Sequence, residues 1–285
     1  MFNKIGIISR LDNEQAVKVA VDIHRFVVRK KLVAVPEEEL ALTANLDGGT
    51  PLKEMDVDMI ITVGGDGTVL KTSMLMPNPT TPVMAVNMGR RGYLADVQPE
   101  DALKAVDACL AGKCHREEHM KLSVSIEGSP PVAGLNEVLI APVLPYKMLD
   151  LQVDVGEYEL VECRADGFIV ATPTGSTAHA FSAGGPILDL ALEAYVLAFI
   201  CPMEPIHPIV VGSDKNIMVR LAAPNQRATV IVDGRYRQDL KNGTKAVISR
   251  SSEKAVFLRF SKLSARKSLL RFPLAETGRS AGTGA

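Results

Sequence analysis

Met59-Ile60-Ile61-Thr62-Val63-Gly64-Gly65-Asp66-Gly67-Thr68-Val69-Leu70 is the segment that sets the fold class of this chain. The apolar run up to Val63 reads as a buried strand, and Val69 to Leu75 as the start of a helix. Three glycines, at 64, 65 and 67, join the two. Glycine allows positive φ and close approach of the backbone to a ligand, and a helix start offers unpaired N–H groups, so this is a natural phosphate cradle. The spacing is neither that of a Walker A loop nor the dinucleotide G-x-G-x-x-G. Asp66 is the odd residue, because two unit charges about 4 Å apart interact by roughly 1 kcal/mol even in water. Two roles in phosphoryl transfer justify a carboxylate there: it helps hold Mg²⁺, or it takes the proton of the attacking hydroxyl. The plainer alternative is an Asp-Gly turn whose side chain bonds its own backbone.

Working outward from this loop, strand and helix patterns alternate. Lys4 to Ser9, Val33 to Val35, Val57 to Val63 and Pro82 to Asn87 read as strands. From Asn13, Val17, Ala20, Val21, Ile23, Phe26 and Val27 recur at helical spacing, and Ala102 to Leu110 is a second helix stopped by Gly112. This predicts a doubly wound α/β domain over residues 1–113. The grammar then becomes β-rich, with short strands at Lys121–Ile126, Asn136–Ile140, Leu151–Val155, Glu159–Cys163, Gly167–Thr172, Ile217–Leu221, Thr229–Asp233, Lys245–Ser249 and Val256–Phe260. Residues 114–260 are therefore read as a β-sandwich-like domain with one substantial helix near Ala178 to Ala198. Residues 261–285 are read as a C-terminal segment, able to return to the first domain, that ends in a mobile polar tail.

Composition excludes several classes. The 32 basic and 33 acidic residues give a net charge of −1 over 285 residues, which argues against nucleic acid or anionic membrane as partner. Aromatics are 5% with no tryptophan, so stacking platforms for single strands are disfavoured. Cys109, Cys114, Cys163 and Cys201 form no C-x-x-C pair, which points to a reducing compartment. No signal peptide pattern and no run of 18 apolar residues is present, so a soluble cytoplasmic protein is expected.

A second signal runs from Asp166 to Pro186: D-G-F-I-V-A-T-P-T-G-S-T-A-H-A-F-S-A-G-G-P. A buried strand enters a turn whose Thr174, Ser176 and Thr177 can read a polar ligand without adding charge; a Ser/Thr helix cap is the competing reading. Asn136-Glu137 is a weaker third element, able to bond a base edge and a ribose or simply to face water. His115 and His119, four apart beside Cys114, have zinc-like helical spacing but lack a third ligand, and are read as solvated. His24 is read as structural.

Together these elements resemble the NAD kinase family: Gly64 to Thr68, Asn87-Met88-Gly89 leading to Gly92-Tyr93-Leu94, Asn136-Glu137, and Asp166 through Pro186, in that order over about 120 residues. The glycine loop alone is shared with lipid kinases and phosphofructokinases; the combination is specific. The resemblance implies NAD bound between two domains, ATP or another phosphoryl donor, a divalent metal such as Mg²⁺, and a homodimer or homotetramer. It implies Asp66 as the base that deprotonates the adenosine-ribose 2′-hydroxyl, with Gly67 beside it and Lys71 near the nucleotide. It assigns Asn136 and Glu137 to the adenosine, Asp166 to NAD, and Thr177, Ala178, His179, Ala180, Phe181 and Ser182 to the pocket wall. Lys147, Arg164 and Arg235 fall at further nucleotide contacts. His179 stands where the family usually has tyrosine, Tyr93 replaces phenylalanine, and Arg90-Arg91 and residues 203–208 depart from the pattern. Two alternatives stay open: a lipid or sugar-phosphate kinase of the same superfamily, and a non-catalytic NAD(P) sensor.

Overall fold

The computed structural model describes residues 2–89 and 92–260; Arg90, Arg91 and the C-terminal segment 261–285 lie outside the described residues. The first part runs β1 Lys4–Ser9, α1 Glu14–Arg29, β2 Val33–Pro36, α2 Glu38–Ala44, β3 Met59–Gly64, α3 Asp66–Leu75, β4 Val83–Asn87 and α4 Ala102–Leu110. The side chain of Asn13 accepts from the Ala16 N–H at 3.0 Å and caps α1. The four strands are parallel in the order β2-β1-β3-β4. Both faces are covered, which is why the strands read as unbroken apolar runs. Ile61 and Val63 of β3 pack under α1 and α4 with Ile23 and Val106, while Ile60 faces Val69 of α3 on the other side.

The second part contains β5 His115–Ile126, β6 Val132–Gly134, β7 Glu137–Pro142, β8 Leu149–Val155, β9 Tyr158–Ala165, β10 Gly167–Ala171, α5 His179–Ser182, β11 Ala194–Ile200, β12 Ile209–Gly212, β13 Ile217–Leu221, β14 Arg227–Val232, β15 Tyr236–Lys241 and β16 Lys245–Arg259. One antiparallel sheet has the order β12-β11-β10-β7-β14-β15. It packs face to face on the sheet holding β8, β13, β16 and β5, with Phe168, Tyr195, Leu151 and Ile217 buried between them. The alternation in β8, Leu149, Leu151, Val153 and Val155 inward with Asp150, Gln152 and Asp154 outward, is the sandwich pattern.

β16 joins the two halves. Its first residues pair with β13 and its later ones with β4 in parallel through Phe257 and Val83, while β5 runs along its other edge. The parallel sheet and one layer of the sandwich are thus one continuous sheet.

Three sequence expectations are corrected here. Lys245–Ser249 and Val256–Phe260 are one strand, because the polar run between them is a bulge, with a register shift between Arg250 and Lys254, rather than a turn. The helix expected near Ala178 to Ala198 is only the four residues of α5; Gly184-Gly185-Pro186 interrupts it, and Ala194–Ile200 is strand β11 between β10 and β12. α2 was not expected. His115 and His119 lie on a strand, where four residues span about 13 Å, too far to share a metal ion. His119, moreover, is buried rather than solvated.

Candidate active site

β3 and β4 end in register, Gly64 opposite Asn87, and the Met88 N–H donates to the Gly64 carbonyl at 2.8 Å. Their loops therefore leave the carboxyl edge of the sheet side by side, where open α/β sheets bind ligands. Gly64 has no room for a side chain: a Cβ there would lie 2.2 Å from Thr68 Oγ1. Asp66 is the first residue of α3. Its carboxylate does not bond its own turn. Oδ2 accepts from the Tyr93 N–H at 3.0 Å, and Oδ1 from the N–H groups of Leu94 and Ala95 at 3.1 and 3.3 Å. A carboxylate has about four lone-pair positions, so this grip fixes the group while leaving Oδ2 able to accept from a hydroxyl.

A second aspartate repeats the arrangement on the sandwich side. Asp233-Gly234 forms the tight turn between β14 and β15, both residues with positive φ, as an Asp-Gly hairpin turn requires. The buried Asp233 carboxylate accepts from Leu135, Asn136 and Glu137 N–H groups at 2.7, 2.8 and 3.0 Å. It holds the Asn136-Glu137 pair at the head of β7. Sequence reasoning read Thr229–Asp233 as strand and missed this role; the Asp-Gly pair that echoes Asp66-Gly67 was the available signal. Burial, and secondarily the Asp233 charge, push the Glu137 carboxyl up to about 7. Glu137 Oε2 and Asn136 Oδ1 are buried acceptors without a protein partner. Buried acceptors normally find a donor, so these two mark a place for a ligand's N–H or O–H groups.

The Thr174 loop closes on the same point. The Thr172 N–H donates to the Asn136 carbonyl at 2.9 Å and the Thr172 hydroxyl to the Leu135 carbonyl at 2.6 Å. A Cβ on Gly175 would lie 2.1 Å from the Asn136 carbonyl oxygen, so only glycine allows this approach. The Ser176 hydroxyl donates to the Pro173 carbonyl and accepts from the Leu188 N–H, which sets the turn into α5. Arg235 reaches across from the β14–β15 turn and donates to the Gly67 carbonyl at 2.7 Å, tying the sandwich to the glycine loop.

Asp66, Gly67, Asn136, Glu137 and Arg235 are thus linked through these loops, and Thr177 lies two residues after Gly175 in the same turn. His179, Phe181 and Ser182 are exposed and Ala178 partly so, whereas Ala180 is buried against Ile169 and Val196. Lys71 turns to Glu37, 2.9 Å away, at the end of β2. Lys147, Arg164 and Asp166 lie elsewhere: β7 and β10 run antiparallel from Glu137 and Ala171, so these residues sit at the opposite end, about 17 Å along the strands. There Arg164 pairs with Asp150 at 3.1 Å. Among the described residues no three His, Cys, Asp or Glu groups cluster to hold a metal, and no helix is long and apolar enough to cross a membrane.

Known proteins similar in sequence and fold point to one family. Residues 5–114 match the model of the ATP-NAD kinase N-terminal domain and residues 135–260 that of the ATP-NAD kinase C-terminal domain. The NAD kinase of Methanothermobacter thermautotrophicus is 38% identical over 264 residues, covering 91% of this chain and 92% of that protein. That of Methanosarcina barkeri is 37% identical, covering 90% and 94%. The NAD kinase from Archaeoglobus fulgidus, solved in complex with ATP, matches with a TM-score of 0.74 at 29% identity, over 93% of this chain and 96% of that one. Yeast NADH kinase complexed with NADH shares the fold, with a TM-score of 0.89 at 18% identity, over 99% and 90%. With both domain models matched and relatives this similar along nine-tenths of its length, the chain belongs to the NAD kinase family.

Proposed function

We propose that this chain transfers the terminal phosphoryl group of ATP to the adenosine-ribose 2′-hydroxyl of NAD, giving NADP and ADP. The observation that carries the reading is the fixed Asp66 carboxylate at the head of α3, joined through Arg235 to the loop pair at Asn136 and Gly175. Asp66 Oδ2 takes the hydroxyl proton as the O2′–P bond forms and the bond from phosphorus to ADP breaks. The remaining acceleration is positional, because phosphoryl transfer asks the protein mainly to align groups and balance charge. Glu137 and Asn136 accept from the adenosine's hydroxyl and amino groups. Thr177 and the α5 segment line the nucleotide, with His179 available to stack on the base.

The absence of a carboxylate cage among the described residues suits Mg²⁺ that arrives on the triphosphate, since this ion keeps waters and phosphate oxygens and needs only one or two protein carboxylates. Such an ion would be held mainly by the triphosphate oxygens beside the loop from Gly64 to Thr68 and would supply charge neutralisation there, while Asp66 keeps its remaining lone pair for the hydroxyl proton. Lys147, Arg164 and Asp166 lie too far along β7 and β10 to meet the same adenosine, so their nucleotide role is assigned to a neighbouring copy in a homodimer or homotetramer. The two-domain division at residues 113 and 114 and a cytoplasmic location complete the reading. The test is NADP formation by purified protein with NAD, ATP and Mg²⁺, with Asp66→Asn alongside. Retained NAD binding with lost turnover is expected; no NADP from the unmodified chain overturns the proposal.

A further inference from the structure

A buried polar chain connects the two loops assigned above, through residues that carry none of the chemistry. Arg259, near the end of β16, is 3% exposed. Its Nη1 donates to the Leu94 carbonyl at 2.7 Å, in the middle of the 93–95 segment that grips Asp66. Its Nε donates to Glu117 Oε1 at 2.9 Å, and Asp96 Oδ1 lies 3.0 Å from Nη1. Glu117 Oε1 is in turn 2.8 Å from His119 Nε2, and His119 Nδ1 is 3.0 Å from Thr174 Oγ1, inside the nucleotide loop. Phe257 supports both ends: the His119 ring meets it edge-on at 4.7 Å and the Arg259 guanidinium lies over it at 4.9 Å.

The proton positions follow from the partners. Burial works against a charge on Glu117, but the His119 hydrogen bond and Arg259 outweigh it and hold its carboxyl at about 2. An ionised carboxylate only accepts, so His119 Nε2 carries the proton. Burial lowers the His119 pKa against the pull of Glu117 and so favours the neutral ring, in which Nε2–H faces Glu117, Nδ1 accepts and the Thr174 hydroxyl donates. Each member then has a single role: Arg259 donates, Glu117 accepts, His119 passes the direction on, and Thr174 is locked in one rotamer. A side-chain chain through a protein interior is costly unless its members are paired, and Arg259, Glu117, His119 and Thr174 each have a partner along the run.

We propose that Arg259, Glu117 and His119 are positioning residues: they set the Thr174 loop, which holds the acceptor nucleotide, in register with the Asp66 carboxylate. The proposal rests on the site reading above and adds to it what fixes the distance between its two halves. An alignment role acts on turnover more than on affinity, because a misplacement of about 1 Å can cost on the order of a hundredfold in rate.

The test compares Thr174→Val, which removes only the hydroxyl, with Thr174→Ser, which keeps it, in the full chain. Thr174→Val is expected to lower kcat about tenfold or more with the KM for NAD changed less than about threefold, and Thr174→Ser to recover most of the loss. His119→Phe keeps an aromatic ring against Phe257 and should show the same kcat loss, and the double variant should be no worse than His119→Phe alone, since both cut one link. A Thr174→Val enzyme with kcat within about twofold of the unmodified chain, an equally impaired Thr174→Ser, or additive losses would overturn the proposal. Asp66→Asn, assayed in parallel, separates this failure from failure of the site itself.

Discussion

Glu137→Gln gives the most quantitative prediction of the site. Glu137 is buried at the head of β7 beside Asp233, and its carboxyl rises from the ordinary 4.5 to about 7. At about 1.4 kcal/mol per pKa unit, ionising it in the folded chain costs on the order of 3 kcal/mol relative to the unfolded chain. Between pH 4.5 and about 7 the folded chain holds a proton that the unfolded chain has released. Stability therefore falls as pH rises through that window and levels off above it. Glutamine never ionises, so the variant escapes this loss. At pH 8 the variant should melt roughly 5 °C above the unmodified chain, the shift that about 3 kcal/mol produces in a domain of this size, and the advantage should vanish near pH 4.5. Thermal melts of both proteins from pH 5 to 8 measure it. The same group links to function: only the ionised carboxylate accepts at both oxygens, so the KM for NAD should fall as pH rises through about 7 in the unmodified chain and stay flat in the variant. Parallel melting curves across the range would refute the assignment of a destabilising buried charge.

Gly175→Ala places a methyl 2.1 Å from the Asn136 carbonyl oxygen, which is backbone and cannot swing away. The loop must shift, with about 1–3 kcal/mol lost in denaturant melts and a raised KM for NAD. Lys71→Met leaves the Glu37 carboxylate, whose side chain is 6% exposed, without its cation. It should destabilise the chain by about 2 kcal/mol, and Glu37→Gln in the same chain should restore most of that. Arg235→Met breaks an exposed bond to the Gly67 carbonyl, so melting should move little while kcat/KM drops several-fold in steady-state assays.

Local signals were the legible ones. The strand-glycine-helix run from Met59 to Leu75 and the helical spacing that starts at Asn13 depend on neighbours in the chain, so their pattern announces them. The reason for Gly175 was not legible, because the carbonyl it must approach belongs to Asn136, brought there only by the pairing of β7 with β10. His119 was misread for a related reason. The polar pattern His-Arg-Glu-Glu-His suggests a surface, and only β16 laid along β5, with Arg259 brought to Glu117, makes that residue internal. Beyond Gly184-Gly185-Pro186 the run from Ile187 to Ala194 has fair helix propensity, but Tyr195, Leu197 and Phe199 fill the sandwich from strand β11, and tertiary burial outweighs propensity. Asp66 could be singled out as a carboxylate needing a reason; that three N–H groups of residues 93–95 hold it required the folded loop.

In the proposed reaction the decisive role is that of Asp66, which accepts the proton of the NAD hydroxyl while the rest of the site binds and aligns. Its most direct test is steady-state NADP formation by Asp66→Asn beside calorimetric NAD titration of the same protein. Asparagine keeps the shape but cannot take the proton, so turnover should fall by about a hundredfold or more with NAD affinity within a few-fold of the unmodified chain. Near-normal turnover in that variant would rule out Asp66 as the base.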